Sequence, residues 1–265
     1  MASAPQSDHP HAAKEGFWQK FAGGQPSFAG KRVLEIGCGL GRRSIEIAQA
    51  GGNSTGIDIS EGCIVHAQSQ RQALDPEVAG RLVFRQCAVE QVESAAFDIV
   101  ISEDTFEHIV DVPQAIATIK EKLAIGGRAY IGFGPLYHSP YGDHGWLQNS
   151  LPFGSLPWSH LFLSRQATYK LVGKKIGQKF TDTINWPYLA LNQHTSSQYI
   201  QMFNNSGLKI VSISTTKHRR AIGKVFDAMA KLPFLGKYFT DGIYCILERV
   251  SENSQDRNIR DSLAA

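Results

Sequence analysis

The sequence predicts an α/β protein built on a doubly wound, mostly parallel seven-stranded sheet. Three observations carry that reading. Short apolar runs of strand length alternate with amphipathic helical stretches from Lys31 to Glu248. The first run ends in a glycine cluster, Gly37, Gly39 and Gly41, where a strand would turn straight into a helix. The hydrophobic fraction of 42% against 19% charged residues supplies a core and excludes global disorder. Strands alternating with helices need crossover connections, which places helices on both faces of a parallel sheet.

Arg32 to Ile36 reads as the first buried strand and Arg42 to Ala50 as the first helix, stopped by Gly51-Gly52. Thr55 to Ile59 is the second strand. Ser60 is a plausible N-cap for a second helix over 61–73, because its hydroxyl can accept an orphan backbone N–H. Leu82 to Cys87 and Phe97 to Ser102 are the third and fourth strands. A helix over 112–123 follows, with Pro113 in its first turn, where no donor is lost. Gly126-Gly127 turns into a fifth strand over 128–133. Residues 134–194 break the rhythm with Tyr137, His138, Tyr141, His144, Trp146, Phe153, Trp158, His160 and Phe162. So long an interruption after a strand is expected to be functional or to fold as a small subdomain. Ser196 to Asn205 reads as a helix, Leu208 to Thr215 as the sixth strand, and Gly242 to Glu248 as the seventh. Between those two strands, residues 219–232 read as a basic amphipathic helix.

The 265 residues are expected to divide into a mobile leader (1–16), one domain (17–250) with an insertion at 134–194, and a polar tail (251–265). Phe17, Trp18 and Phe21 form an aromatic stripe that either packs on the domain or covers a ligand. Residues 1–16 hold no apolar core of a secretory signal, and no run of eighteen apolar residues suggests a membrane span. Cys38, Cys63, Cys87 and Cys245 form no C-x-x-C pair, which argues against a zinc cluster or a redox dithiol. A cytoplasmic location with reduced thiols is the expectation. Net charge is +3, but twelve Lys/Arg against two Asp/Glu lie between His160 and Thr240. That basic stretch is either a solvated face or an attraction to an anionic substrate, partner or membrane surface.

Glu35-x-Gly37-x-Gly39-x-Gly41 carries the chemistry. Glycines between strand and helix let the backbone take positive φ and approach a ligand closely, while the helix N-terminus aims free amides at it. The spacing is not the G-x-G-x-x-G of dinucleotide folds, since Arg42 stands where a third glycine is needed. This motif resembles the first motif of class I S-adenosylmethionine-dependent methyltransferases. Asp58 matches that family's acidic residue for the ribose hydroxyls. Phe97-Asp98-Ile99-Val100 with Glu107-His108, and Leu123-Ala124-Ile125-Gly126-Gly127, resemble two further blocks in the right order. The likeness covers about 100 residues, 33–133, and is nearest to the small-molecule branch that includes ubiquinone-biosynthesis and sugar O-methyltransferases.

The resemblance implies a Rossmann-like methyltransferase fold and S-adenosyl-L-methionine as cofactor. Glu35, Gly37, Gly39, Gly41, Asp58, Ile59, Ala88, Val89, Glu90 and Ser102 are the implied cofactor-binding residues. One departure stands out: Cys87-Ala88-Val89-Glu90 puts Ala88 where the family often has an aspartate for the adenine amino group, so that contact must come from elsewhere. Glu35 could otherwise pair with Lys31 or Arg32, and Asp58 could serve as a helix cap. Asp98 reads as structural, His108 as a packing histidine, and Cys38 and Cys87 as small core residues.

Methyl transfer to a hydroxyl needs positioning and a base, and no metal is called for. The base is expected at the carboxyl ends of the strands, where such sheets bind ligands. His138 or His144, on the loop after the fifth strand, has the right ordinary pKa, and similar sugar O-methyltransferases use a histidine from this region. The expected acceptor is a small molecule, anionic or lipid-linked, with residues 219–239 offering contact to an anionic membrane. A nucleic-acid methyltransferase is disfavoured: the fourth strand ends Ser102-Glu103-Asp104-Thr105 rather than in Asn/Asp-Pro-Pro-aromatic, and an acidic pair repels phosphate. A non-catalytic binding protein on the same fold is the other alternative.

Overall fold

The computed structural model describes residues 16–93, 96–144, 147, 156–176, 191–217, 229, 232 and 234–251. Residues 1–15 of the leader, Trp146, Phe153, most of the basic helix and the tail beyond Ser251 lie outside the described residues. The strands are β1 (Arg32–Ile36), β2 (Asn53–Asp58), β3 (Leu82–Gln86), β4 (Phe97–Glu103), β5 (Leu123–Phe133), β6 (Lys209–Lys217) and β7 (Thr240–Glu248). They form one seven-stranded sheet in the order β3-β2-β1-β4-β5-β7-β6. β1 to β5 are parallel, while β7 runs antiparallel to both β5 and β6.

The helices are α1 (Arg42–Gln49), α2 (Glu61–Gln72), α3 (Pro76–Gly80), α4 (Val112–Lys122), α5 (Arg165–Ile176), α6 (Ser196–Asn204) and α7 (Gly236–Phe239). Side chains set their starts. Ser60 accepts from Cys63 N, and Asp111 from Gln114 N. Thr195 and Gln198 exchange a capping box, which satisfies two orphan donors at once. Helices α3 and α7 escaped the sequence reading. The insertion after the fifth strand, expected to mix helix and loop, contains α5, whose bounds the sequence did not give because its residues carry no clear apolar stripe. β5 starts at Leu123 rather than 128, running through Gly126-Gly127 with a register shift against β4.

The two faces of the sheet bury separate clusters, as alternation along each strand requires. Leu34, Val100, Ile131 and Leu247 face α4 and α6 with Ile116, Ile119, Tyr199 and Phe203. Val33, Ile99, Ile101, Tyr130 and Ile246 face the other way, against Ile47, Phe17, Phe21 and Phe28. Each such buried side chain contributes about 1.5–3 kcal/mol. The aromatic stripe therefore packs on the sheet: Phe17 and Phe21 are buried, with edge-on contacts to Tyr244 and Tyr130. Asp98 is structural, since its Oδ2 accepts from Arg32 N at 2.8 Å and ties the start of β4 to the start of β1.

β1 and β4 are neighbours, yet their chains leave the sheet in opposite directions, toward β2 and toward β5. The crevice at the carboxyl ends of these two strands is where an open α/β sheet takes its ligand.

Candidate active site

The turn from β1 into α1 lies at the mouth of that crevice. Gly37, Gly39 and Gly41 all have positive φ, at 73°, 51° and 86°. Packing explains one and openness another. A Cβ on Gly37 would collide with the Thr105 side chain, whereas one on Gly39 would meet nothing within 4 Å. Gly39 is thus the place where backbone faces free space.

Asp58, at the end of β2, holds this turn. Its Oδ2 accepts from Gly39 N at 2.9 Å and its Oδ1 from Ser60 N at 2.9 Å. Each carboxylate oxygen has two acceptor positions, so one on each remains for a ligand. Two vicinal hydroxyls match that remainder. The cap reading is not met, since Ser60 itself caps α2. Ile59, beside Asp58, exposes 67% of its surface, and Leu40 at the tip of the turn 49%. A flat apolar ligand would cover such side chains.

Glu35 sits behind the turn, not paired with Lys31 or Arg32. It is buried and accepts from Ser44 Oγ at 2.5 Å. Burial pushes its carboxyl up to about 8, against the lowering effect of Ser44 and Arg43. Burial thus favours the neutral form of this carboxyl. Arg43 lies under the same turn, with its guanidinium on Glu103 Oε2 at 2.6 Å and over the ring of Phe17 at 4.8 Å. Of the acidic pair Glu103-Asp104, Glu103 is thus neutralised by Arg43.

The loop after β3 approaches from the other side. Cys87 N donates to Asp58 O, and Gln86 Nε2 to Ile59 O. Ala88 is half-buried, with its N–H donated to Gln91 Oε1. Val89 is a core residue facing α4, and Glu90 is exposed. Ser102 is buried and donates to Ile36 O at 3.4 Å, linking the ends of β4 and β1. Cys38 is buried, and burial drives its thiol well above the ordinary range, which suits a core residue and not a nucleophile.

The two candidate bases fall into different surroundings. His138 Nε2 lies 3.2 Å from Gln193 O. A carbonyl only accepts, so Nε2 carries the proton and Nδ1 is the basic nitrogen. Burial lowers the His138 pKa, with Lys237 adding to the effect and the Gln193 bond opposing it. His144, at φ 55°, stacks on His108 with centroids 5.4 Å apart and 12° between planes. His108 thus packs against a candidate base, in keeping with a packing or supporting role. Glu107, His108 and His144 each bring a donor atom within 4.8 Å of the others, a set whose chemistry suits a divalent cation. Glu107 also accepts from Gly134 N at 3.3 Å, joining this turn to the end of β5. An open groove of about 380 Å³ lies apart from all of these residues, between α4 and α6, lined by Pro113, Ile116, Gln198 and Met202.

Residues 34–129 match a family model described as a methyltransferase domain. Over that segment the chain is similar to a methyltransferase domain. The chain is 32% identical over 104 residues to the ubiquinone biosynthesis O-methyltransferase of Pseudomonas entomophila, covering 39% of this chain and 44% of that protein. Against the mitochondrial ubiquinone biosynthesis O-methyltransferase of Schizosaccharomyces pombe the identity is 33%, over 38% and 37% of the two chains. The match thus spans less than half the length of these relatives. A longer match, 64% of this chain and 76% of the relative at 26% identity, reaches the enzyme of Alkalilimnicola ehrlichii. Among solved structures, an S-adenosylmethionine-dependent methyltransferase of Listeria monocytogenes aligns over 89% of this chain and 99% of its own, at TM-score 0.58 and 17% identity. One from Mesorhizobium loti aligns over 85% and 94%, at TM-score 0.55 and 17% identity. These two extend the methyltransferase fold beyond the family-model segment to most of the chain.

Proposed function

We propose that the chain transfers a methyl group from S-adenosyl-L-methionine to a hydroxyl of a small-molecule acceptor. The observation that carries the reading is Asp58, which spends one acceptor position per oxygen on Gly39 and Ser60 and keeps two for vicinal hydroxyls beside the open Gly39. Bound there, the cofactor supplies an electrophilic methyl group on a sulfonium. Gly39 and Asp58 would hold its ribose end, Ile59 would cover its base, and Ala88 would line the same wall. Glu35, its neutral form favoured by burial, buttresses the turn through Ser44 rather than adding charge. His138 takes the acceptor's proton at Nδ1, the ring nitrogen opposite the one bonded to Gln193 O. His144, beside Glu107 and His108, is the second candidate base.

The O-methyltransferase names of the relatives support a hydroxyl acceptor. A lipid-linked or anionic acceptor is supported by the basic charge of 160–240 and by Phe234 and Leu232, exposed at 87% and 50%. These residues belong to the 219–239 segment proposed to touch anionic membrane. No helix among the described residues is long and apolar enough to cross one.

The test is calorimetric titration of the purified chain with S-adenosylmethionine, followed by a panel of phenols, catechols and sugar alcohols with labelled methyl donor. Binding with turnover on a hydroxyl acceptor supports the reading. Absence of cofactor binding ends it.

A further inference from the structure

Residues 191–195 connect the insertion to α6, far from the strand ends in sequence. In space they reach both histidine-bearing loops. Asn192 Nδ2 donates to Phe106 O and to Ile109 O, each at 2.8 Å, and Asn192 N donates to Glu107 O at 2.7 Å. Three carbonyls of one short turn thus end on a single residue. The turn is a 3-10 helix, Phe106–His108, whose own backbone bonds are few: His108 N to Thr105 O and Ile109 N to Phe106 O. Its carbonyls need partners from outside.

The amide orientation of Asn192 has one solution. Rotating it by half a turn would set Oδ1 against two carbonyl oxygens, which only accept. With Nδ2 committed there, Oδ1 takes Tyr199 Oη at 2.7 Å and His194 N at 3.4 Å. Tyr199 is fully buried, and its Oη also lies 3.1 Å from Phe106 O. The next residue, Gln193, offers its carbonyl to His138 Nε2 at 3.2 Å.

We propose that Asn192 and Gln193 form a positioning strap that fixes the Glu107–His108 turn and the protonated nitrogen of His138 as one unit. This deepens the methyl-transfer reading, since its purpose there is to hold both acceptor-side groups in register. Asn192 is a positioning residue: it acts through the turn and touches neither reacting atom. A displaced turn or a rotated imidazole leaves the cofactor half, β1 to α2, intact. The strap therefore affects transfer and spares cofactor binding.

The deciding experiment compares the full-length wild type with Asn192→Asp, Tyr199→Phe and Thr195→Ala. Asn192→Asp is isosteric and sets an acceptor against the two carbonyls. Tyr199→Phe removes one hydroxyl and preserves the rest, which guards against a failure of the first variant to fold. Thr195→Ala weakens the cap of α6 without touching the Asn192 bonds. The primary readout is the ¹⁵N-edited imidazole spectrum, with exposed His66 as internal reference. The expected result is displaced His108 and His138 signals in Asn192→Asp, a smaller shift of the same sense in Tyr199→Phe, and wild-type signals in Thr195→Ala. Unmoved His108 and His138 in both Asn192→Asp and Tyr199→Phe overturn the strap. So does equal movement in Thr195→Ala. With an acceptor in hand, kcat should fall on the order of a hundredfold in Asn192→Asp, the size of effect that small misplacements produce, at unchanged cofactor affinity. A wild type that binds no S-adenosylmethionine removes the methyltransferase reading, and the spectra still decide the strap.

Discussion

Arg43 and Glu103 close on each other at 2.6 Å across sixty residues of sequence, joining α1 to the end of β4 beneath the glycine turn. Their side chains expose 7% and 16% of their surface, so the pair is largely shielded from water. Glu103→Gln leaves the guanidinium with Glu46 alone as a charged partner. A charged hydrogen bond of this kind contributes about 1.5–3 kcal/mol. The expected outcome is a lower Tm by several degrees in a thermal melt, with the glycine turn loosened and cofactor affinity reduced. An unchanged melt would show that Glu46 suffices.

Asp58→Ala removes the acceptor for Gly39 N and for the two cofactor hydroxyls together. Unpaired polar groups cost about 1–3 kcal/mol, which is roughly five- to hundredfold in affinity. Calorimetry on S-adenosylmethionine should read that loss while the circular dichroism spectrum stays native. Gly39→Val should weaken binding comparably, because a side chain would fill the open approach at a φ of 51°.

Glu35 gives the stability a pH dependence of defined sign. Its carboxyl titrates near 8 in the fold and near 4.5 when free. Below about 4.5 both states are protonated and the full contribution is present. Between 4.5 and 8 only the unfolded chain loses the proton, so stability falls as pH rises through that window. Glu35→Gln has no proton to lose and retains an acceptor for Ser44. Urea denaturation should show the variant gaining on wild type by more than about 1 kcal/mol between pH 5 and pH 8. Parallel curves for the two proteins would contradict the buried neutral carboxyl.

His138→Gln should cut methyl transfer by about 10²–10⁴, the usual contribution of a general base, with cofactor affinity preserved. Because burial lowers its pKa, the rate in wild type should rise with pH below 6.5 and level off before neutrality. If His144→Gln shows the larger loss, the base belongs to the Glu107–His108–His144 cluster.

The basic segment has a separate readout. Co-sedimentation with anionic vesicles at low salt should be lost near 1 M salt, where the screening length is about 3 Å. Phe234→Ser should weaken it, since that ring is 87% exposed. Protein left in the supernatant at low salt would make 219–239 an ordinary part of the fold.

The cofactor half was legible because its signals are local. Alternation along β1 to β4, the glycine spacing and the Ser60 cap each act within a few residues, and the structure has them within one or two positions. Asp58 was singled out by the same local signal, its place at the end of the second strand. The acceptor half was less legible. His144 was named and His108 was read as packing or supporting, but that the two rings stack was not visible, because it depends on a loop conformation with φ 55°. Asn192 carries no motif, and its role exists only through carbonyls more than eighty residues away. Arg43 carries no sequence signal of its own, although Glu103 was in view. Only the pairing of β1 with β4 brings those two together.

The placement of β7 between β5 and β6 bears on how the chain is made. β6 has no other neighbour in the sheet, and β5 keeps one edge open until β7 arrives. About 107 residues separate Phe133 from Thr240. At ~5–20 residues per second, the ribosome takes roughly 5–20 s to supply them. During that interval the cofactor half can assemble as five parallel strands with a bare apolar edge, a template for unwanted pairing. Cofactor taken up by the nascent half would stabilise it by mass action before the acceptor side exists. Order of synthesis and order of ligand capture are then the same.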